Sequence, residues 1–355
     1  MAIRYFKYAS VYISIGVIML SLILGGKWVF VAPIYVFGII PLIELLFAGD
    51  MQNMDKAEEE IAKKDKIYDF NVWSVVPLQF AVMFYFLNRI DDGSLLLWEK
   101  VGMTFAFGIS CGVLGINVAH ELGHRVTWYE QLLSKMLLSS SMYLHFFIEH
   151  NRGHHKNVST DEDPASSRYG ETIYAFYFRS VINGWLSAWH LERDLLKKKG
   201  HSFWSFKNEM LVYQIIQVGM LVTILLVWNW QVMLWYLASA IIGFLLLETV
   251  NYIEHYGLRR KKIEDAYYEK VMPVHSWNSN HPIGRIMLFE LTRHSDHHYM
   301  ASRKYQVLRH FDHSPQMPTG YPGMMVLALF PPLWFKVMHK HIDIYRSTAE
   351  GAALA

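Results

Sequence analysis

Apolar residues in this chain gather into runs long enough to cross a bilayer, and the remaining features are placed by those runs. A helix needs about 20 predominantly apolar residues to span the hydrocarbon core. Six runs qualify, at 9–24, 28–48, 72–87, 95–118, 211–228 and 232–253. They fall into three hairpin-like pairs. The joins are Gly25, Gly26 and Lys27, then the turn-forming Asp-Asp-Gly-Ser at 91–94, then the short link at 229–231. The first run reads as an uncleaved helix rather than a secretory signal, because no small-x-small cleavage site precedes a polar start and a second span follows at once. Two further apolar stretches are interrupted. The stretch 132–147 contains Ser139, Ser140, Ser141 and His145, and 323–337 is broken by Pro331 and Pro332. Both are expected to lie along the membrane interface or to cap the helices. With no internal repeat or low-complexity segment, the chain reads as a single domain over 1–355.

Lysine and arginine set the expected orientation. They occur at Arg4 and Lys7, in the loop after the second span (Lys56, Lys63, Lys64, Lys66), through the long stretch after the fourth from Arg125 to Lys199, and after the sixth from Arg259 to Lys262. The opposite side holds Lys27 and, near span ends, Arg89 and Lys100. Both termini are therefore expected in the cytoplasm, together with segments 119–210 and 254–355.

Composition removes several classes of function. The chain is 53% apolar and 18% charged, against roughly 25% charged in an ordinary soluble domain. A formal net charge of +2, with no basic stripe interleaved with aromatics, argues against nucleic acid. The single cysteine, Cys111, excludes an internal disulfide, a four-thiolate zinc site or an iron–sulfur centre made by this chain alone. No Gly-x-Gly-x-x-Gly follows a strand-like run, so no built-in flavin or nicotinamide domain is expected. No bound haem is expected either. Electrons, if needed, must come from another protein.

Histidine is the outlier, with 18 residues, more than twice ordinary usage. Four clusters fall on the expected cytoplasmic side. They are His120 and His124 at the end of the fourth span, His150, His154 and His155, then His255 at the end of the sixth, and His294, His297 and His298. Histidines four apart on a helix share a face and can chelate one ion. Consecutive ones point about 100° apart and cannot easily do so. His150 and His154 are thus expected to share an ion, with His155 on a second, and His294 is spaced to join either His297 or His298. Nine candidates are too many for one ion and suit two. A zinc hydrolase needs three protein ligands and an open position, whereas two irons in nitrogen-rich shells fit oxygen activation. The carboxylates Glu121, Glu149, Asp163, Glu254 and Asp296 stand beside these candidates and are expected to orient their rings. Of the other nine histidines, His275 and His281 are kept as supporting candidates. His145, His190, His201, His310, His313, His339 and His341 read as ordinary. The expected fold class is an all-α integral membrane protein, with six transmembrane helices and a cytoplasmic helical cap carrying a histidine-rich di-metal site.

The local sequences around these residues are specific. They are His-Glu-Leu-Gly-His-Arg at 120–125, Glu-His-Asn-Arg-Gly-His-His-Lys at 149–156, Asp-Glu-Asp-Pro-Ala-Ser at 161–166 and Asn-Tyr-Ile-Glu-His-Tyr-Gly-Leu at 251–258. Ser-Trp-Asn-Ser-Asn-His at 276–281, Arg-His-Ser-Asp-His-His at 293–298 and Pro-Thr-Gly-Tyr-Pro-Gly at 318–323 complete the set. The pattern resembles the histidine boxes of the membrane di-iron superfamily of desaturases and hydroxylases. It is most similar to bacterial alkane 1-monooxygenases. That resemblance implies a six-helix enzyme of the bacterial inner membrane whose nine histidines hold two irons. It implies O2-dependent hydroxylation of linear alkanes to primary alcohols. It also implies electrons passed from NADH through a reductase and a rubredoxin, expected here as a separate protein because no Cys-x-x-Cys pairs follow.

An alkane has no polar handle and must be held by apolar contact, at about 0.8 kcal/mol per buried methylene. A channel whose length sets chain-length preference is therefore expected, with Val36 of the second span as a candidate lining residue. Glu44, an ionisable residue inside the same span, is a candidate for function. Competing readings are a di-iron acyl desaturase or a hydroxylase of another apolar substrate. From different classes come a membrane zinc peptidase suggested by His120-Glu-Leu-Gly-His124, a metal transporter and a bis-histidine haem protein.

Overall fold

A computed structural model describes residues 7–264 and 267–347. Among the described residues the protein is helical apart from one short antiparallel hairpin, Lys262–Glu264 with Tyr267–Tyr268. Six helices are long and apolar enough to cross a membrane: Lys7–Leu24, Gly26–Glu44, Lys66–Ile90, Leu97–Gly123, Glu209–Val227 and Trp230–His255. The all-helical, multi-pass expectation is met, and all six spans fall where the apolar runs lie. Their ends differ. The third begins six residues early and the fourth runs five residues late, because polar residues extend a helix that hydropathy alone truncates. Asp69 at the start of the third span pairs with Arg125 at 3.3 Å, so a charge that breaks the apolar run is neutralised inside the helix assembly.

The chain groups by contact into two compact units, each assembled from three separate segments. The first comprises 7–36, 66–152 and 184–247. The Glu209–Val227 helix shows what surrounds it. Ile215, Ile216, Val218, Val222, Leu225, Leu226 and Val227 are all exposed, a load of apolar surface that suits lipid and not water. Its entry is capped by Asn208, whose side chain accepts the Leu211 N–H at 3.1 Å. The fourth and sixth spans approach closely through glycines. A methyl group on Gly243 would sit 2.4 Å from Cys111 Cβ, and one on Gly108 would sit 2.5 Å from Ile242.

The fourth span carries a π-helical stretch at Ser110–Ile116, immediately before the Asn117–Gly123 helix that bears the first histidine box. Wide turns of this kind are rare and concentrate at functional sites. Here the stretch is anchored by side chains. Ser110 donates to Gln79 Oε1 at 2.6 Å, and Gln79 in turn donates to Ser140 Oγ at 3.2 Å. Ser141 donates to the Cys111 carbonyl at 3.1 Å. The interrupted stretch 132–147 is not among the helices long and apolar enough to cross a membrane. Its helix, Trp128–Ser140, packs on the spans, with Ser140 and Ser141 buried against them.

The second unit comprises 37–65, 153–183 and the described part of 248–347. The helix Lys56–Lys64 opens with a capping box of Asp55 and Glu58. Its Glu59 takes both ends of the Arg309 guanidinium, at 2.5 and 2.6 Å. Arg293 donates to the carbonyls of Gln52 and Leu308 at 2.8 and 2.7 Å. These bonds fix the start of the helix His294–Tyr299. The apolar stretch 323–337 is broken at Pro331 and Pro332, as expected. They open a new helix, Pro331–Ser347, after Tyr321–Ala328, because the first helical turn needs no N–H donors.

Candidate metal centre

The histidines expected as ligands converge in ring groups. In the second unit His154, His255, His294 and His298 are 0–5% exposed and present one nitrogen each to a common point. His154 Nε2 lies 3.2 Å from His298 Nε2, His298 Nε2 lies 2.9 Å from His294 Nε2, and His294 Nε2 lies 3.3 Å from His255 Nε2. A ring nitrogen has one in-plane site, a proton or a lone pair, so those of His298 and His294, which each face two others, cannot bond both along that axis. For ligands held about 2.0–2.1 Å from a central ion, neighbouring donor atoms lie about 3.0–3.4 Å apart. The quartet has that spacing, and its donor set fits a transition-metal ion. Burial, then the neighbouring rings of His294, His155, His154 and His255, hold His298 well below its ordinary pKa, so its lone pair is available.

His155 and His297 of the same unit face one another through Nε2 at 3.1 Å. In the first unit His124 Nε2 and His150 Nε2 are 3.0 Å apart, and the His120 ring lies 4.5 Å from that of His150. One expectation fails. His150 and His154 do not share an ion position, since His150 turns to His120 and His124 while His154 turns to His255 and His298. The reason is local: His150–His154 is a π-helical turn, so the α-helical spacing rule does not apply across it. The separation of the consecutive pairs His154/His155 and His297/His298 is as expected.

The flanking carboxylates divide by partner. Asp163 accepts from His154 Nδ1 at 2.9 Å and from Ser166 Oγ at 2.5 Å. Burial works to raise its carboxyl, but His154 and the Ser166 bond outweigh it and hold it below the usual range. The contact puts the His154 proton on Nδ1 and frees Nε2 for metal. Glu121 is bound by Arg125 at 2.6 Å, and Asp296 by Arg303 at 2.6 and 2.7 Å with the Arg309 backbone N–H at 2.8 Å. Glu149 is buried next to His150 in the chain. Glu254 Oε2 lies 3.1 Å from His294 Nε2, and its other oxygen accepts the Tyr321 hydroxyl at 2.8 Å. Tyr321 was not singled out from the sequence as a site residue; its signal was its place inside Pro-Thr-Gly-Tyr-Pro-Gly. Glu44 is 1% exposed and accepts the Gly284 N–H at 2.7 Å. Its carboxylate occupies the space a side chain at Gly320 would fill.

Neither supporting histidine joins a ring group. His275 pairs with Glu269 at 3.2 Å, and His281 meets Ser279 Oγ at 3.0 Å. His145 is buried against Tyr143, with ring centroids 4.3 Å apart, and burial pushes its pKa down to about 4. The folded state therefore resists a proton that the unfolded chain takes up near its ordinary 6.5. Stability is expected to fall as pH drops from about 6.5 to about 4, because the unfolded state then binds more protons. The replacement His145→Gln should flatten that slope in thermal unfolding of the detergent-solubilised protein. An unchanged slope would assign the acid sensitivity to other groups.

The family described as fatty acid desaturase matches residues 96–340. Alkane 1-monooxygenase 2 of Alcanivorax borkumensis is 38% identical over 319 residues, covering 90% of this chain and 84% of the relative. Alkane 1-monooxygenase 1 of Pseudomonas aeruginosa is 40% identical over 325 residues, covering 91% and 85%. The hydroxylase component of xylene/toluene monooxygenase of Pseudomonas putida is 26% identical over 321 residues, covering 89% and 83%.

Proposed function

The chain belongs to the fatty acid desaturase family and, within it, to the alkane 1-monooxygenases, and from that premise we propose that it hydroxylates the terminal carbon of linear alkanes to give primary alcohols. The observation that carries this reading is the buried quartet of His154, His255, His294 and His298, whose nitrogens converge at ligand spacing. In this reading nine histidines hold two iron ions. The quartet serves one of them. Imidazole-rich sites suit iron, and two such ions supply the activation of O2 that no side chain here can provide.

One oxygen atom goes to carbon and the other leaves as water, which consumes two electrons and two protons per turnover. The chain's one cysteine, Cys111, is buried, so this sequence offers no thiolate cluster to carry the electrons. They come, in this reading, from a rubredoxin charged by an NADH-dependent reductase. The basic residues that follow the second, fourth and sixth spans support a bacterial inner-membrane enzyme with both termini and the histidine-bearing segments on the cytoplasmic face. The chain's own residues orient the His154 ring through Asp163, exclude water by burying the quartet, and hold the alkane by apolar contact.

Membranes carrying the protein, supplied with a rubredoxin, its reductase, NADH and a panel of linear alkanes, test the reading by mass spectrometry of the products. Primary alcohols formed only with O2 are expected. No alkanol from a preparation holding two reducible irons per chain would move the substrate to an acyl, terpenoid or aromatic compound. Val36, buried in the π-helical turn Tyr35–Ile39 of the second span, is the proposed determinant of length. Val36→Trp is expected to shift the preferred alkane to shorter chains. An unchanged product profile would remove Val36 from the channel.

A further inference from the structure

Glu254 immediately precedes His255 at the end of the sixth span and is 1% exposed. Three other carboxylates near the histidines are matched to donors. Glu121 and Asp296 have arginines, and Asp163 has the Nδ1 side of His154. Glu254 differs. One of its oxygens takes the Tyr321 hydroxyl, and the other lies 3.1 Å from His294 Nε2. That same nitrogen faces His298 Nε2 at 2.9 Å and His255 Nε2 at 3.3 Å, so it is the atom His294 offers to a metal. A nitrogen that ligates an ion has its lone pair engaged there and no proton to give a carboxylate. With the ion in place, His294 supplies nothing to hold the Glu254 oxygen. A buried carboxylate among neutral imidazoles is costly unless a cation compensates it.

We infer that Glu254 gives a carboxylate oxygen to the ion held by His154, His255, His294 and His298, as an exchangeable ligand steadied by Tyr321. Glu254 stands beside His294 at the edge of the quartet and not among its four nitrogens. From that position a carboxylate can move on and off the ion while the imidazoles stay. The inference rests on reading the quartet as a metal site.

The test uses the full-length protein in detergent, stripped of metal and reloaded with cobalt(II), whose visible absorption reports its ligands. Glu254→Ala is expected to change the absorption bands at full loading and to weaken cobalt binding at one site by about 10-fold. Added acetate should restore the wild-type bands in that variant and leave the wild type unchanged. Tyr321→Phe should move the bands in the same direction by less. Should the alanine variant fail to fold, the near-isosteric Glu254→Gln carries the same spectral test. Wild-type bands in a fully loaded Glu254 variant, with no response to acetate, would overturn the inference while leaving the quartet intact as a metal site. A wild-type protein that takes up no cobalt would overturn the metal reading itself.

Discussion

Replacing His298 with alanine is expected to lower bound iron from two ions per chain toward one and to abolish alkanol formation. His298 Nε2 lies between His154 and His294, at 3.2 and 2.9 Å, so its loss removes a donor from the middle of the quartet. The ring is 5% exposed, and water has little access to take its place. The loss should exceed the about 10–100-fold typical of an outer partner, because a direct ligand is removed. Iron analysis of the purified variant, alongside product formation, makes the check. Two irons and normal turnover in His298→Ala would remove this residue from the centre.

Asp163→Asn is expected to have the next largest effect, about 10–100-fold in metal affinity or turnover. Asp163 is buried and accepts from His154 Nδ1 at 2.9 Å, with Ser166 bound to the same oxygen at 2.5 Å. Asparagine keeps the volume and loses the charge. If its amide nitrogen faces the ring, the His154 proton is driven onto Nε2, where the metal should be. The rate of iron release to a chelator reads the effect directly. Release as slow as in the wild type would show that the charge of Asp163 does not hold His154 in its ligating tautomer. Ser166→Ala should lie between the two, since the carboxylate keeps its charge and loses one donor.

Several of these features were legible in the sequence. The length of each apolar run fixes a spanning helix because the bilayer has a fixed thickness, and no tertiary contact is needed to read it. The nine histidines were legible for a similar reason. Their number, their spacing and two His-His pairs exceed what one ion can use, and the local boxes around them are specific. Asp163 was visible as a carboxylate near the boxes, but so were Glu121 and Asp296. Glu121 stands four residues before Arg125, a spacing that pairs on a helix, whereas nothing in the local sequence says that Arg303 claims Asp296. Arg303 reaches Asp296 from seven residues away, whereas Arg309 and Glu59 meet from 250 residues apart.

What the tertiary structure decided is how the nine histidines are partitioned. The π-helical turns at 110–116 and 150–154 reset the direction of the side chains that follow, and hydropathy carries no signal for them. They arise from packing: the first is pinned by Gln79, Ser140 and Ser141, residues that meet only when distant helices pack. Hence the sequence by itself determined the six helices long and apolar enough to span and the nine candidate histidines. Which histidine faces which, and that Glu254 and Tyr321 stand at the quartet, depended on side chains brought together across the fold, because local periodicity fixes a residue's face and not its neighbour.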